Sequence, residues 1–418
     1  MNSKPTVLMI SYYFPPMGGA GVQRTLKFVK YLPEYGWQPH VLTVQDSTNL
    51  QDSSLAKEIP AEMLITRTPI LRPPKQLPWR MRNFISRWLL TVDEQVGWLP
   101  FATRAGTRII KENPVDVIYS TSAPYTAHLI ARRLHKHSNI PWVADFRDPW
   151  IGNFNLSFPT PFHRNLVERL ERQVIQDASH VLVVSPPMSQ SICARIPGIQ
   201  PSKITWLPNG FDAGDFLASQ PAMRDKDRFY LVYTGSFYAQ GRTARSILEA
   251  IQAVLISGQI PRQRLCLQMV GNIGKSTQKW ISELNFDDII ETPGYVSHEQ
   301  SIAYLLAADA LLLIIGASPD SSAVYTGKIF EYLGAGKPIL CLANDGVASD
   351  LIRDARAGMV VSPDDISQII QHLVEMYQQW QSGRLSITPD QKLIQTFERR
   401  QLTGQLAKIF NELTGKTV

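Results

Sequence analysis

Short apolar runs in the first half of the chain alternate with segments of helical periodicity. The apolar runs lie at 6–11, 40–44, 116–120, 142–146 and 180–185. Between the first two, the segment 22–32 places Leu26, Val29 and Leu32 on one face of a helix. Short apolar runs separated by helices predict strands that are buried on both faces, and therefore a parallel sheet.

The second half of the chain repeats this alternation. Its apolar runs lie at 229–235, 265–271, 310–316 and 337–343. Helical stretches such as 246–256 separate them, and no sequence repeat is visible that would indicate a solenoid. The pattern therefore predicts two α/β units in series.

Turn-forming residues mark the boundary between these units. The segment 207–212 (LPNGFD) contains Pro and Asn-Gly, and the polar stretch after it has no apolar periodicity. Near the end of the chain, leucine and isoleucine recur at helical spacing, at Leu402, Leu406, Ile409 and Leu413. We predict one domain at 1–207, a second at 208–388, and a C-terminal helix at about 389–418 that belongs with the first.

Composition excludes several classes of protein. The 418 residues are 44% hydrophobic and 19% charged, which argues against a disordered or fibrous chain. The longest apolar stretch, 307–316, is interrupted by Asp309 and is too short to span a bilayer. The run 7–10 is too short for the core of a signal peptide. Three widely spaced cysteines predict neither a disulfide framework nor a metal site, so we expect a cytoplasmic protein.

The positive charge is concentrated in one segment. The net charge of +6 is a mild excess and does not by itself indicate a nucleic-acid partner. The segment 67–87, however, has six basic residues and no acidic one, at Arg67, Arg72, Lys75, Arg80, Arg82 and Arg87. Because the aromatic residues Trp79, Phe84, Trp88 and Trp98 lie among these cations or shortly after them, we expect peripheral association with the anionic inner face of a membrane. The alternative is that the aromatic residues fill the core beneath a long loop.

A glycine-rich turn follows the first predicted strand. The sequence 11–21 (SYYFPPMGGAG) leads into a helix that begins near Val22, so the backbone at Gly18 and Gly19 is a candidate anion site. A dinucleotide-binding fingerprint would need a third glycine where this chain has Arg24, which disfavours a dehydrogenase. The alternative is a tight turn without a ligand.

Charged residues follow the predicted strand at 142–146. The run 142–150 (WVADFRDPW) places Asp145, Arg147 and Asp148 at or just beyond the end of that strand. Ligands of open α/β sheets bind beyond the carboxyl ends of the strands, so these three residues are candidate catalytic residues. The alternative is an ion pair that steadies a loop.

The segment 318–338 carries the strongest signal for a ligand site. A loop of small residues follows a strand, and a helix begins near Gly327, so the backbone N–H groups from Tyr325 to Lys328 can receive phosphate oxygens. Lys328 and Glu331 are three residues apart on that helix. The lysine could meet phosphate charge and the glutamate a ribose diol, or the two could form only an exposed ion pair.

Together these segments resemble the glycosyltransferase family 4 group, whose members are retaining, nucleotide-sugar-dependent enzymes of the GT-B fold. The resemblance covers nearly the whole chain and is carried by YYFPPMGGAGVQR, DEQVGW, VADFRDPW, LPNGFD, YTGSF, PGYVSHEQSIAYLLAADALLL and GKIFEYLGAGKPIL. It implies two Rossmann-like parallel-sheet domains facing a cleft, with the C-terminal helix crossing back to the first. It also implies that the acceptor binds the first domain and the donor mainly the second.

The resemblance also implies roles for single residues. Glu331 matches the ribose-binding second glutamate of a Glu-x7-Glu pair, while the first glutamate is replaced by Ala323, with Asp320 nearby. The family's diphosphate cradle matches Tyr325, Thr326 and Gly327, its phosphate-binding cation is assigned to Arg242, and Tyr295 lies in the segment along the nucleobase. A histidine that many members carry is absent at Phe146-Arg147.

The resemblance implies a retaining glycosyltransferase whose donor is a nucleotide-diphosphate sugar and whose acceptor is a glycan or a lipid-linked molecule. No cofactor and no metal are expected. The DFRDPW version implies work on bacterial surface polysaccharide or glycolipid. Two alternatives stay open, namely a nucleotide-sugar epimerase of the same architecture and a non-catalytic protein that binds a nucleotide or glycan.

Overall fold

The chain folds into two compact units, here called the first and the second unit. The computed structural model describes residues 4–45, 50–74, 76–85, 88, 90, 92–153, 156–237, 243–315 and 325–416. The first unit comprises Met1–Pro208 with Arg400–Val418, and the second comprises Asn209–Arg399. No helix among the described residues is both long and apolar enough to cross a bilayer.

A sheet of seven parallel strands forms the centre of the first unit. The strands are β1 (Thr6–Ile10), β2 (Gln38–Val44), β3 (Leu64–Thr68), β4 (Val117–Ser122), β5 (Trp142–Phe146), β6 (His180–Val183) and β7 (Ile204–Trp206). Their order is β3-β2-β1-β4-β5-β6-β7, which reverses direction between β1 and β4. All residues of β4 and β5 are buried, as expected for strands covered on both faces.

Among the described residues, six α-helices precede the boundary and connect these strands. They are α1 (Ala20–Tyr31), α2 (Trp79–Phe84), α3 (Leu99–Glu112), α4 (Thr126–Ser138), α5 (Pro161–Asp177) and α6 (Pro186–Arg195). Asp93, the first residue of the DEQVGW sequence, stabilises the start of α4. Its carboxylate accepts a hydrogen bond from the N–H of Thr126 at 2.8 Å. The indole of Trp98 is buried and donates to the Thr68 hydroxyl at 2.7 Å.

The second unit has a sheet of six parallel strands. These are β8 (Phe229–Thr234), β9 (Leu265–Val270), β10 (Ile290–Gly294), β11 (Ala310–Ile314), β12 (Ile339–Leu342) and β13 (Gly358–Val361). The order β10-β9-β8-β11-β12-β13 reverses direction between β8 and β11. The parallel sheets that the apolar runs predict are therefore confirmed in both units.

The helices of the second unit cover both faces of its sheet. They are α7 (Ala213–Ala218), α8 (Arg245–Ile256), α9 (Gly274–Glu283), α10 (His298–Ala307), α11 (Gly327–Ala335), α12 (Val347–Asp354), α13 (Ile366–Gln381) and α14 (Gln391–Gln395). Two separate groups of buried apolar residues, one on each side of the sheet, form the core of this unit.

The end of the chain is two helices rather than the single helix predicted at about 389–418. The first, α14, stays with the second unit, because Phe397 just after it packs on Phe330 with ring centroids 5.1 Å apart. The second, α15 (Arg399–Thr414), packs on the sheet of the first unit, where Phe410 contacts Trp37 at 5.2 Å. The units thus divide after Pro208 and after Arg399, whereas the sequence predicts division after 207 and 388.

Candidate functional site

Three neighbouring strands of the second unit end in glycine. Gly235 and Gly271 follow β8 and β9, Gly294 ends β10, and their φ angles are +120°, +124° and +77°. The N–H of Gly235 donates to the Val270 carbonyl at 2.7 Å, and that of Gly271 donates to the Gly294 carbonyl at 2.8 Å. A Cβ at Gly271 would lie 2.2 Å from the Gly235 oxygen. This edge of the sheet is therefore bare backbone, open to close approach by another group.

The side chain of Lys328, from the first turn of α11, lies across Gly235. Its Nζ donates to the hydroxyl of Tyr233 at 2.7 Å and sits 4.1 Å from the centroid of the tyrosine ring. A Cβ at Gly235 would come within 2.1 Å of the Cε of Lys328, so only glycine leaves room for this lysine. Phe237 stacks on the same tyrosine ring at 4.5 Å. The ammonium group is thus held at the carboxyl end of β8 by an aromatic ring and a hydroxyl.

A second side chain of α11 binds the same strand end. Tyr332, one turn after Lys328, is buried, and its hydroxyl accepts the N–H of Thr234 at 2.8 Å. Burial raises the pKa of the Tyr332 phenol, with the contact to Thr234 opposing the shift, so the hydroxyl is neutral. Residues four apart lie on one helix face, and these two fix the start of α11 against the end of β8.

The N-terminus of α11 offers several hydrogen-bond donors to a ligand. Thr326 precedes the helix and makes no capping hydrogen bond, and its buried hydroxyl has no partner among the described residues. The position that a Cβ would take at Gly327 is open. The first backbone N–H groups of a helix lack intrahelical acceptors and carry partial positive charge. With Lys328 beside them, they form a cradle suited to an anion.

Glu331, one turn further along α11, lies close to α10. Its Oε1 lies 4.0 Å from Nδ1 of His298, the first residue of α10, and the other ring nitrogen of His298 lies 2.9 Å from a carboxylate oxygen of Asp215. Burial raises the pKa of the Glu331 carboxyl, His298 and Lys328 oppose this shift, and Asp215 adds to it. Lys328 and Glu331 therefore each contact a further residue of the second unit, Tyr233 for the lysine and His298 for the glutamate.

Of the other donor residues predicted in the second unit, two are described and one is not. Tyr295 follows Gly294 directly and is half-exposed, whereas Tyr325 is partly buried, with its ring 5.7 Å from that of Phe330. Arg242 lies outside the described residues, as do Asp320 and Ala323.

In the first unit, Asp145 lies at the centre of a buried hydrogen-bond network. Nε and Nη2 of Arg24 each donate to one of its carboxylate oxygens at 2.8 Å. The hydroxyls of Tyr119 and Thr121 donate to it at 2.5 and 2.8 Å. Burial would raise the pKa of this carboxyl, but Arg24 and the two hydroxyls outweigh it and hold the pKa below its ordinary value. The sequence places Asp145 among catalytic residues, but the structure places it beneath the surface.

Arg147 and Asp148 occupy different environments. Arg147 donates to the carbonyls of Ser122 at 2.6 Å and Ala123 at 2.7 Å, and also to that of Gly21, so it joins the end of β4 to the start of α1. Asp148 is an exposed residue, but desolvation of its carboxyl still raises the pKa of that group, and Arg147 opposes the shift. Of the three predicted catalytic residues, Asp148 is the one that the structure leaves exposed.

The two predicted glycines of the first unit lie where α1 begins. The N–H of Gly18 donates to the Leu50 carbonyl at 2.8 Å, next to an antiparallel bridge between Met17 and Gln51. Gly19 has a φ of +91° and precedes α1, with open space where a Cβ would be. The backbone N–H of Gly18 is therefore engaged within the first unit, whereas the surroundings of Gly19 are open.

Several residues of these sites are absent from the sequence-based predictions. Arg24 enters the sequence analysis only as the residue that breaks a glycine fingerprint, and Tyr233, Tyr332, His298 and Asp215 do not enter it. The one available signal was a charged residue inside the amphipathic pattern of α1, where Arg24 is buried among apolar neighbours. Tyr233 and Tyr332 read as ordinary core residues in the sequence.

Two family models match consecutive parts of the chain. One, described as a glycosyl transferase 4-like domain, matches residues 18–210, and the other, described as glycosyl transferases group 1, matches residues 228–379. The two matches correspond to the two units and include every site residue predicted from the sequence. None of the curated protein sequences compared with this chain matches it.

Solved structures similar to this chain are GT-B proteins. Sucrose-phosphate synthase from Thermosynechococcus elongatus is 15% identical, with coverage of 98% of this chain and 99% of that one, at a TM-score of 0.70. HepE of Anabaena in complex with UDP and glucose is 14% identical, with coverage of 98% of this chain and 100% of that one, at a TM-score of 0.66. The UDP-GlcNAc 2-epimerase of Methanocaldococcus jannaschii is 12% identical, with coverage of 97% of this chain and 99% of that one, at a TM-score of 0.59. At these identities the similarity shows the shared fold.

The burial of Asp145 predicts different effects for substitution of the two aspartates. Asp145→Asn leaves the Arg24 guanidinium buried without a charge partner and should lower the free energy of unfolding by about 3–5 kcal/mol. Asp148→Asn, at an exposed position, should change it by about 0.5 kcal/mol or less. Denaturant unfolding of both variants at neutral pH checks this, and equal effects would contradict the assignment.

The same pair predicts a dependence on pH. Because the pKa of Asp145 is lowered in the folded protein, its stabilising effect is complete above the pKa of an unfolded aspartate, about 3.9. The effect is lost as the pH falls through the lower, folded value. The difference in stability between the wild type and Asp145→Asn should therefore shrink in acid and stay constant from about pH 5 to 7.

The approach of Lys328 to Gly235 predicts a coupled pair of substitutions. Gly235→Ala should destabilise the protein by more than Gly258→Ala, because Gly258 has a positive φ of +71° but open space where its Cβ would be. Lys328→Ala removes the clashing atoms, so the double variant Gly235→Ala/Lys328→Ala should recover about 0.5–3 kcal/mol of the loss. Strictly additive effects in thermal unfolding would show that the lysine does not lie over this glycine.

Proposed function

The chain belongs to the glycosyltransferases that pair a 4-like first domain with a group 1 second domain in the GT-B fold, and on this premise we propose that it transfers a sugar from a nucleoside-diphosphate donor to an acceptor hydroxyl. The observation that carries the donor class is the cradle at the start of α11, where the Lys328 side chain and the N-terminal end of the helix lie beside the buried Thr326 hydroxyl. A neighbour in fold, HepE, is known in complex with UDP and glucose, which supports the same donor class.

The cradle suits the charge that glycosyl transfer produces. When the bond between the anomeric carbon and the donor phosphate breaks, negative charge accumulates on the departing diphosphate. In this proposal the departing group lies against Lys328 and the first N–H groups of α11, which are fixed in place and stabilise its charge without reorganisation. Tyr233 contributes by holding the ammonium at 2.7 Å from its hydroxyl. In this proposal Lys328 contacts the donor, and Tyr233 is a positioning residue.

The nucleoside is assigned to the residues beside the diphosphate. Glu331 lies one turn further along α11, and an ionised carboxylate there can accept two hydrogen bonds from a ribose diol. His298 favours the ionised form of Glu331 against the effect of burial. Tyr295 presents a half-exposed ring beside Gly294 and gives a nucleobase an apolar face to lie along.

The stereochemistry and biological role that we propose follow the family resemblance. We propose that the reaction retains configuration by attack on the same face of the sugar, with an oxygen of the leaving phosphate taking the acceptor proton. The protein then supplies orientation and charge stabilisation rather than a separate base. Asp148, exposed in the first unit, is the proposed contact to a glycan or lipid-linked acceptor in the synthesis of bacterial surface polysaccharide.

A nucleotide-sugar epimerase is the second candidate, and the structural similarity to the Methanocaldococcus enzyme favours it over other classes. The two activities differ in their need for an acceptor. An epimerase converts the donor sugar without any acceptor and releases no transfer product. Incubation of the protein with nucleotide sugars alone, followed by chromatography of the sugars, distinguishes them, and acceptor-independent conversion to an epimer would overturn the transferase.

Substitutions in the cradle should separate binding of the diphosphate from binding of the nucleoside. Lys328→Met should weaken a nucleoside diphosphate by about 10- to 150-fold, the cost of one hydrogen bond to a charged group, and should weaken the parent nucleoside little. Glu331→Gln should weaken both ligands, because it removes charge beside the ribose. Calorimetric titration with a panel of nucleoside diphosphates measures these affinities.

The matched control is Lys279→Met, which removes an exposed lysine from α9 of the same unit. It should leave the affinity for every nucleotide unchanged. If Lys328→Met binds the preferred nucleoside diphosphate as tightly as the wild type and Lys279→Met do, the diphosphate is not held at the start of α11.

A further inference from the structure

The first unit carries a cluster of exposed large apolar side chains, here called the aromatic patch. Its members are Leu71, Trp79, Met81, Phe84, Trp88 and Phe162. Trp79 is 70% exposed and Phe162 is 71% exposed. Among the described residues, thirteen large hydrophobic side chains are exposed, and five of these lie between 71 and 88. This concentration distinguishes the patch from the scattered apolar residues that any surface carries.

Ring contacts connect the part of the patch that follows α2 to the part at the start of α5. Phe84 stacks on Trp88 with ring centroids 5.9 Å apart, and Trp88 meets the edge of His163 at 5.6 Å. The Nε2 of His163 also lies 3.2 Å from the Trp88 carbonyl oxygen. Since His163 follows Phe162 in the first turn of α5, the exposed rings continue from α2 to the start of α5.

The helix at the centre of the patch has no buried residue. All six residues of α2, including Trp79, Met81 and Phe84, stay outside the core of the first unit. Apolar side chains of this size normally stabilise a fold by leaving water, and these do not do so within the chain. Trp98 fills the core, whereas Trp79 and Trp88 are exposed. The alternative that all these aromatic residues fill the core beneath a loop is therefore wrong for Trp79 and Trp88.

The charged residues of the segment that carries five of the six patch residues are of one sign. No acidic residue occurs from Arg67 to Val92. Arg67 and Arg72 are engaged within the unit, the first with the Pro15 carbonyl and the second with the Tyr12 hydroxyl at 2.8 Å. Arg80 and Arg82 lie on α2 between the exposed apolar residues, with Arg80 5.9 Å from the ring of Trp79.

From this combination we propose that the aromatic patch docks the first unit on an anionic lipid bilayer. Tryptophan and phenylalanine rings enter the boundary between headgroups and acyl chains, while arginines meet lipid phosphates. Each cation near such a surface strengthens binding and makes it sensitive to salt. This association goes beyond the proposed transfer reaction, because it requires neither donor nor acceptor.

The positive charge also argues against a second copy of the chain as the partner that binds the aromatic patch. In a symmetric dimer the same patch lies on both sides of the interface, so Arg80 and Arg82 of one protomer would face the same arginines of the other. Like charges placed together across an interface are repulsive, and the patch contains no acidic residue to compensate them. An anionic bilayer can bind both the exposed apolar side chains of the patch and the arginines of α2.

The test uses the full chain and two vesicle compositions, pure phosphatidylcholine and phosphatidylcholine mixed with phosphatidylglycerol. The wild type should co-sediment with the mixed vesicles, more weakly as salt rises, and bind little to the neutral ones. Arg80→Glu/Arg82→Glu should weaken binding by about 30-fold or more. Trp79→Ser/Phe84→Ser should also weaken it and should reduce the quenching of protein fluorescence by brominated lipid.

Two control variants match these changes away from the patch. Arg108→Glu/Lys408→Glu makes the same charge change at two exposed positions of the first unit, and Met223→Ser/Ile256→Ser removes exposed apolar side chains from the second. Both should bind vesicles as the wild type does. Circular dichroism should show all variants folded, since α2 holds no core residue.

Three results would overturn the proposal. The first is no binding to the mixed vesicles at low salt, and the second is equal loss of binding in patch and control variants. The third is wild-type binding by Trp79→Ser/Phe84→Ser, which would leave only attraction of charge. A wild-type dimer in light scattering that the patch variants abolish, without vesicle binding, would assign the patch to a second copy. Nucleotide affinity, measured in parallel, should be the same in all variants, so the fate of the donor site is judged separately.

Discussion

The site in the second unit depends on the absence of a side chain at Gly235. Because β8 ends in a glycine with a φ of +120°, the Lys328 side chain can lie across the strand end and reach the Tyr233 hydroxyl. Tyr332 then fixes the helix that carries the lysine to the same strand end through the Thr234 N–H. A cation and a helix N-terminus are therefore presented together by backbone geometry, and any Cβ at this point would move both.

In the first unit a buried charge pair lies at the end of a strand, whereas in the second unit glycines occupy the strand ends. Arg24 binds both oxygens of Asp145 and also donates to the carbonyls of Leu207 at 2.9 Å and Pro208 at 2.7 Å, so it joins α1, β5 and the last residues before the boundary. Such a pair is costly to desolvate and costly to break. It explains why strongly polar residues lie buried at a strand end, and it leaves Asp148, one residue beyond Arg147, as the exposed group.

Patterns that are local in the sequence predicted most of the fold. Apolar runs and helical spacing place the strands of both sheets, and the Gly327–Lys328–Glu331 spacing places a cation and a carboxylate at the start of one helix. The partners of these groups were not predictable, because the contacts join distant residues: 95 positions separate Tyr233 from Lys328, and 121 separate Arg24 from Asp145. Asp145 resembles a site residue in the sequence because only the fold brings Arg24 beside it. The single predicted tail helix was wrong because Phe397 packs into the core of the second unit.

The account rests on the donor diphosphate being held at the start of α11, and a crystal structure of the full chain with its tightest-binding nucleoside diphosphate tests this most directly. It predicts phosphate oxygens within hydrogen-bonding distance of Lys328 Nζ and of the first N–H groups of α11, with the ribose beside Glu331. A diphosphate bound instead at Gly18 and Gly19, with Lys328 still donating only to Tyr233, would contradict it.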